Sequence, residues 1–150
     1  MASVAIRSDH GTGGDPIDTV PSNLNFAALI YPVISTDPTH LNTGTFPNLL
    51  GERKDDPAAL AEWALERHTH PDMPPIFMVH ALDDTCVGVE NSIAFATSCH
   101  KQKVPLELHI YPNGGHGFGI CRNNDHTTEW KTNCEHWLNA VTKRFGRGLR

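Results

Sequence analysis

Two stretches of the sequence contain residues that could cooperate in proton transfer. His116 lies in the glycine-rich stretch Asn113–Gly119 (NGGHGFG), while Asp83 and Asp84 follow the apolar run Pro75–His80 (PIFMVH). A carboxylate can orient an imidazole and stabilise its charged form, and the imidazole can accept a proton from a nucleophile. The alternative interpretation of the glycine-rich stretch is a turn that happens to carry one of the ten histidines.

Each candidate follows a segment with the pattern of a β-strand. Pro75–His80 is continuously apolar, which is typical of a strand buried on both faces. Pro105–Tyr111 (PLELHIY) alternates between apolar and polar residues, which also predicts a strand. By the same reasoning, a third strand is predicted at residues 26–31, and helices are predicted at 56–67, 89–102 and 127–145.

Strands that alternate with helices indicate parallel β-α units. Parallel strands bring their carboxyl ends, and the loops that follow them, to the same edge of a sheet. We therefore expect the carboxylate of Asp83 or Asp84 to lie within hydrogen-bonding distance of His116 Nδ1, at about 2.6–3.2 Å.

The sequence around both candidates resembles a known enzyme family. The stretches PPIFMVHALDDTCVGVENS and VPLELHIYPNGGHGFG are similar to the C-terminal half of α/β-hydrolase esterases, in the branch of acetylxylan esterases and the prolyl-oligopeptidase catalytic domain. NFAALIYPVIS and NLLGE also look like that branch, so the resemblance covers most of the chain. In that family the acid lies four residues after the His of a His-Gly turn, which corresponds to Asp84 when counted from His80. Asp83 is the alternative, as a solvated or turn-capping acid.

The resemblance implies the fold class. We expect an α/β protein with a partial α/β-hydrolase fold, in which about three parallel strands are flanked by helices within one domain, residues 1–150. Such enzymes place nucleophile, acid and histidine in that chain order. Asp84 would then be the orienting acid and His116 the general base. Two positions depart from the family pattern, because Ala81 stands where Gly is usual and Gly88 where Pro is usual.

A serine nucleophile is not recognisable in this sequence. No G-x-S-x-G occurs, and none of the six serines lies between glycines in a strand-to-helix elbow. The resemblance places Met1 inside the helix after that elbow, so the N-terminal strands and the elbow would be missing. We expect a truncated copy or partial reading frame; the alternative is a chain that never had the serine. A serine such as Ser3 or Ser8 within reach of His116 Nε2 would contradict truncation.

The expected function is therefore serine-type hydrolysis of carboxylic esters, which the chain alone would not perform. By resemblance, the substrate is a small acyl ester or an acetylated plant polysaccharide. The alternatives are a serine peptidase of the prolyl-oligopeptidase type and a non-catalytic remnant that self-associates through an exposed sheet edge. His68 and His70 could form half of a metal site, although a surface loop is the commoner explanation. No metal or cofactor is expected.

Composition excludes other classes of protein. With 150 residues, 39% of them hydrophobic, the chain can form one globular domain with a sizeable core. A net charge of −5 provides no basic surface for nucleic acid or an anionic membrane. No run approaches the ~18 apolar residues of a membrane span, and the first residues lack a signal-peptide layout, so we expect a cytoplasmic protein by default.

The four cysteines form no C-x-x-C motif, which argues against a zinc ribbon or a thioredoxin-like site. Cys99 and Cys134 are expected to be buried thiols on helix faces. Cys86 and Cys121 fall in the two candidate loops, where a disulfide is geometrically conceivable, although nothing indicates an oxidising compartment.

Three further residues have both structural and functional interpretations. His80, at the end of its strand, is expected to be a structural hydrogen-bonding residue rather than a catalyst. Trp63 and Phe118 could line an acyl or sugar pocket, or they could serve core and loop packing.

Overall fold

A parallel β-sheet lies at the centre of the fold. The computed structural model describes residues 2–6, 24–40, 44–120 and 126–145. Within these residues the strands are β1 (Ala27–Ile30), β2 (Ile76–Ala81) and β3 (Leu106–Tyr111). They pair in the order β1-β2-β3, and both pairs are parallel. The predicted parallel sheet is thus confirmed, with strand ends that differ by at most one residue.

Helices flank the sheet on both faces, as a partial α/β-hydrolase fold requires. In the described residues the α-helices are α1 (Ala2–Ile6), α2 (Thr45–Leu50), α3 (Pro57–Trp63), α4 (Glu90–Lys101) and α5 (Glu129–Phe145). Short 3₁₀ turns occupy residues 51–53, 65–67 and 126–128. None of the helices in this part of the chain is long and apolar enough to cross a lipid bilayer.

Strand β2 is the centre of two hydrophobic cores, one on each face of the sheet. All six of its residues are buried, as the continuous apolar run predicts. Successive side chains of a strand point to opposite faces. Met78 therefore joins the cluster that includes Phe95 of α4, while Phe77 joins the cluster that includes Trp137 of α5. The predicted packing of α5 against the sheet is confirmed.

Helix α3 begins where the sequence predicts and ends earlier. Asp56 caps its first turn by accepting a hydrogen bond from a backbone N–H. The predicted helix, 56–67, stops at Trp63. The reason is tertiary, because the N–H of Leu65 donates to the carbonyl oxygen of Ile34 at 3.1 Å instead of continuing the helix.

The three-residue spacing of Ile93, Ala96 and Cys99 predicts the buried stripe of α4, but the observed buried face differs from it. Cys99 is fully buried as expected, but Ile93 is 44% exposed. The remaining buried positions are Asn91, Ser92 and Phe95. Two of these are polar, so apolar periodicity could not identify them. Their burial depends on hydrogen-bond partners that are distant in sequence.

The three cysteines that the structure describes differ in how deeply they are buried. Burial raises the pKa of the Cys99 thiol to about 12. Cys134 is predicted to be a buried thiol but is only half-buried, because α5 packs it at the margin of the second core. Cys86 is exposed. Cys121 lies outside the described residues, so the possible bridge to it stays a prediction.

Asn91 anchors the segment that follows β1. Its Oδ1 accepts hydrogen bonds from the N–H of Ile34 at 3.1 Å and from the N–H of Ser35 at 2.9 Å. Its Nδ2 donates to the carbonyl oxygen of Gly88 at 3.0 Å. All of these groups are buried, so the side chain satisfies polar groups that water cannot reach.

We predict that Asn91→Ala lowers the free energy of unfolding by about 2–4 kcal/mol, because two buried backbone N–H groups lose their acceptor. Urea unfolding followed by circular dichroism measures the change. Thr97→Ala is the control on the same helix, since Thr97 is exposed and its hydroxyl donates only to the helical carbonyl of Ile93. It should change stability by less than about 0.5 kcal/mol. Equal unfolding midpoints for both variants would contradict the anchoring role.

Candidate active site

Two loops emerge side by side from the carboxyl ends of β2 and β3. Ala81 pairs with Tyr111 at the end of the parallel ladder, and the N–H of Leu82 donates to the carbonyl oxygen of Tyr111 at 2.7 Å. The acid loop, defined as residues 82–88, and the histidine turn, residues 113–119, therefore start at the same edge of the sheet.

Asp84 and His116 meet between these two loops. Asp84 Oδ2 lies 2.8 Å from His116 Nδ1, so the predicted hydrogen bond is present. The Asp84 side chain is fully buried, whereas that of His116 is 35% exposed. A carboxylate oxygen only accepts hydrogen bonds, so Nδ1 must carry the hydrogen. Nε2 of the neutral ring then has a free lone pair and points away from the carboxylate.

The second oxygen of Asp84 is held by the backbone of its own loop. Oδ1 accepts hydrogen bonds from the N–H groups of Cys86 and Val87, both at 2.9 Å. Burial acts to raise the pKa of Asp84, but hydrogen bonds from Val87, His116 and Cys86 outweigh it and hold the pKa below its ordinary value. The loop thus keeps a buried carboxylate ionised at neutral pH.

Asp83 has a different partner from its neighbour. It is exposed, and its Oδ1 accepts a hydrogen bond from the N–H of Gly115 at 2.8 Å. Asp83 therefore ties the acid loop to the histidine turn through the backbone, which is the turn-capping arrangement considered for it. The imidazole of His116 is bound by Asp84.

Glycine shapes the histidine turn. Gly114, Gly115, Gly117 and Gly119 all have positive φ, in line with the expected reversal of the chain. Gly114 is also a point of close approach: an added Cβ would lie 2.8 Å from Thr127 Cγ2 and 3.1 Å from the Cβ of Ala81. The turn can therefore pack directly against the end of β2.

Tyr31 is a site residue that sequence patterns missed. They placed it in the first strand, but it lies just beyond β1 with a φ of 39°, which is rare for an aromatic residue. Its ring contacts the imidazole of His116, with centroids 4.8 Å apart, and the ring of Phe118, at 4.9 Å. Nothing in the sequence indicated a left-handed backbone here, since a residue before proline favours an extended one.

Trp63 and Phe118, the two aromatic candidates for a pocket, lie in different parts of the structure. Phe118 packs beside Tyr31 at the histidine turn. Trp63 lines a cavity of about 150 Å³ whose walls also include Ala2, Ser3 and Phe46. Phe118 therefore belongs to the surroundings of His116, while Trp63 belongs to the packing around α1 and α2.

His68 and His70 bind backbone atoms. Nε2 of His68 lies 2.8 Å from the carbonyl oxygen of Ala61, and Nε2 of His70 lies 2.8 Å from that of Ile6. Among the described residues, no group of three or more His, Cys, Asp or Glu side chains is arranged to hold a metal ion.

Three serine hydroxyls in the described residues have other side chains as partners. Ser35 bonds to Glu66, Ser92 to His80 and Ser98 to Thr69. Ser3 lies in α1 and lines the cavity next to Trp63. Ser8 and Ser22 lie outside the described residues.

We predict that Gly114→Ala lowers the free energy of unfolding by about 2–4 kcal/mol, because its Cβ would collide with buried neighbours. Gly115→Ala is the matched control. It has a positive φ as well, of 60°, but open space around it, so it should cost only about 1 kcal/mol of backbone strain. Chemical denaturation of both variants makes the comparison, and equal losses would show that close approach at Gly114 is unimportant.

Comparison with known proteins places this chain in a family. Residues 25–144 match the prolyl oligopeptidase family. The chain is 31% identical over 102 residues to endo-1,4-beta-xylanase B of Butyrivibrio fibrisolvens, covering 68% of this chain and 16% of that protein. It is 29% identical over 120 residues to an acetylxylan esterase of Xylanibacter ruminicola, covering 78% of this chain and 25% of that one.

A solved structure agrees with these matches. An acetyl ester-xyloside bifunctional hydrolase from Caldicellulosiruptor lactoaceticus superimposes with a TM-score of 0.75 and 29% identity, over 93% of this chain and 52% of that one. The chain thus spans about half of this solved relative and a quarter or less of the curated relatives. From the match over most of its length and from the shared half of the fold, the chain belongs to the prolyl oligopeptidase family.

Proposed function

We propose that this chain supplies the acid and the histidine of a serine-type carboxylic-ester hydrolase. Asp84 is the orienting acid, and His116 is the general base. Acetyl esters of plant polysaccharides are the proposed substrate class.

The observation that carries the proposal is the hydrogen bond between Asp84 and His116. A buried carboxylate holds Nδ1 at 2.8 Å, and the imidazole is partly exposed. This is the arrangement that a general base needs, because Nδ1–H is fixed while Nε2 can accept a proton. The two adjacent backbone N–H bonds to Asp84 Oδ1 keep the carboxylate from turning away.

The proposed chemistry has two halves, acylation and deacylation, each with two proton transfers. A serine hydroxyl gives its proton to His116 Nε2 as its oxygen adds to the ester carbonyl. The protonated imidazole, stabilised by Asp84, then gives that proton to the departing alcohol, leaving an acyl-serine. Water repeats the sequence and releases the carboxylic acid, which restores the serine.

The serine of this proposal lies outside the 150 residues. The sequence contains no G-x-S-x-G, and three serine hydroxyls of the described residues are bound to Glu66, His80 and Thr69. The part of the solved relative that this chain does not span is the natural place to look for it.

The substrate class follows the relatives by analogy. One curated relative is an acetylxylan esterase, and the solved relative is an acetyl ester-xyloside hydrolase. A second candidate, a peptidase, is favoured by the family description, which names an oligopeptidase. Hydrolysis of a prolyl p-nitroanilide separates the two, since a peptidase should cleave this amide and an esterase should not, whereas both should cleave the activated ester p-nitrophenyl acetate.

A non-catalytic association module is the remaining candidate. Within the described residues β1 pairs only with β2, so its other edge presents backbone groups that a second copy could pair with. Sedimentation of the chain alone tests this module: a concentration-dependent dimer would support it, and a monomer would count against it.

The test of the proposed function joins this chain to the part of the Caldicellulosiruptor hydrolase that it does not span. We predict that the joined enzyme hydrolyses p-nitrophenyl acetate and that Asp84→Asn lowers kcat by about 10³–10⁴-fold, because the imidazole loses the partner that fixes its tautomer. Steady-state kinetics on the purified variants measures the effect.

Asp83→Asn is the matched control, since its side chain keeps the oxygen that accepts the Gly115 N–H. It should lower kcat by less than about 10-fold. A larger loss for Asp83→Asn than for Asp84→Asn would mean that the acid is assigned to the wrong residue. A joined enzyme that folds, as judged by circular dichroism, but has no esterase activity would contradict the proposed function.

A further inference from the structure

His80 is a fully buried titratable residue that the proposed chemistry leaves unused. It lies in β2, and its side chain is 0% exposed. Nδ1 lies 2.7 Å from the hydroxyl oxygen of Ser92 on α4. Nε2 lies 2.8 Å from the carbonyl oxygen of Val87 and 3.2 Å from Asp84 Oδ2.

These contacts determine where the imidazole carries its hydrogen. Both partners of Nε2 are oxygens that only accept, so Nε2 must be the donor. Nδ1 of the neutral ring is then an acceptor, which the Ser92 hydroxyl can satisfy by donating. Ser92 therefore selects the ring form in which Nε2–H points at the acid loop.

The same oxygen of Asp84 thus accepts hydrogen bonds from two imidazoles. Asp84 Oδ2 accepts from His116 Nδ1 at 2.8 Å and from His80 Nε2 at 3.2 Å. A carboxylate oxygen has two lone pairs, so it can accept from both rings. His80 is fully buried and His116 is 35% exposed, so the two donors come from the core and from the partly exposed side.

His80 also forms a hydrogen bond with the backbone of the acid loop. The N–H of Val87 donates to Asp84 Oδ1, while the carbonyl oxygen of Val87 accepts from His80 Nε2. His80 Nε2 therefore contacts both Asp84 and Val87, the first and last residues of the turn at 84–87. The turn is linked in this way to β2 through His80 and to α4 through Ser92.

We propose that His80, held by Ser92, is a positioning residue that aims Asp84 Oδ2 at His116. This inference rests on the proposed function, because the benefit of aiming the acid is expressed in the reaction. The competing role is a core histidine whose bonds serve stability alone. The two differ in whether His80 affects the hydrogen bond at His116 and the turnover of correctly folded enzyme.

The test compares His80→Leu, which fills similar space without a donor, with His80→Gln, whose amide nitrogen is as many bonds from Cα as Nε2. In the joined enzyme, with active sites counted by the acyl-enzyme burst, we expect His80→Leu to lower kcat by about 10- to 100-fold with KM changed less than about threefold. His80→Gln should stay within about fivefold of the unmodified kcat.

Proton NMR of the chain alone gives a readout that does not require a nucleophile. The Nδ1–H of His116 should give a downfield signal, which should shift or exchange away in His80→Leu and persist in His80→Gln. Ser92→Ala should have a smaller effect in the same direction. Ser98→Ala is its matched control, because Ser98 is on the same helix and its hydroxyl has a 2.7 Å partner in Thr69, away from the acid loop.

The outcomes are distinguishable. A His80→Leu enzyme whose kcat per active site and His116 signal match the unmodified protein would overturn the positioning role. If His80→Leu does not fold, the other variants decide: a folded His80→Gln that loses the signal, or a Ser92→Ala that matches Ser98→Ala, overturns it. An inactive joined enzyme whose His116 signal still responds to His80→Leu would refute the proposed function while supporting the coupling of His80 to His116.

Discussion

The site depends on one buried carboxylate that has enough donors to remain ionised. The two oxygens of Asp84 accept four hydrogen bonds, from two backbone N–H groups and two imidazoles. An unpaired charge in that position would be costly to bury. Here the hydrogen bonds that offset this cost also fix the orientation of the carboxylate. The same contacts therefore stabilise the loop and orient the acid.

The sheet brings these donors together. His116 and Asp84 are 32 residues apart in the chain, yet the parallel register of β2 and β3 ends their strands at the same level. A shift of one residue in that register would turn each side chain of the strand to the other face. His80 would then leave the core between Ser92 and the acid loop, and Asp84 would lose its inner donor.

The sequence predicts the parts of this site that depend on local patterns. The apolar run at β2, the alternation at β3 and the glycines around His116 are enough to place an acid and a histidine at one sheet edge. The resemblance to α/β-hydrolase esterases also favours Asp84 over Asp83. Burial of Ser92 and Asn91 could not be predicted in this way, because polar residues are buried only where distant partners exist. The left-handed backbone of Tyr31 likewise depends on tertiary contacts, against the preference of a residue before proline.

The most direct test of the central claim is covalent labelling of the joined enzyme with a fluorophosphonate, followed by peptide mass spectrometry. We predict rapid labelling of one serine outside these 150 residues, with the rate reduced at least about 100-fold in a His116→Gln variant that folds normally. Labelling of the His116→Gln variant at the unmodified rate, or of a serine within this chain, would contradict it.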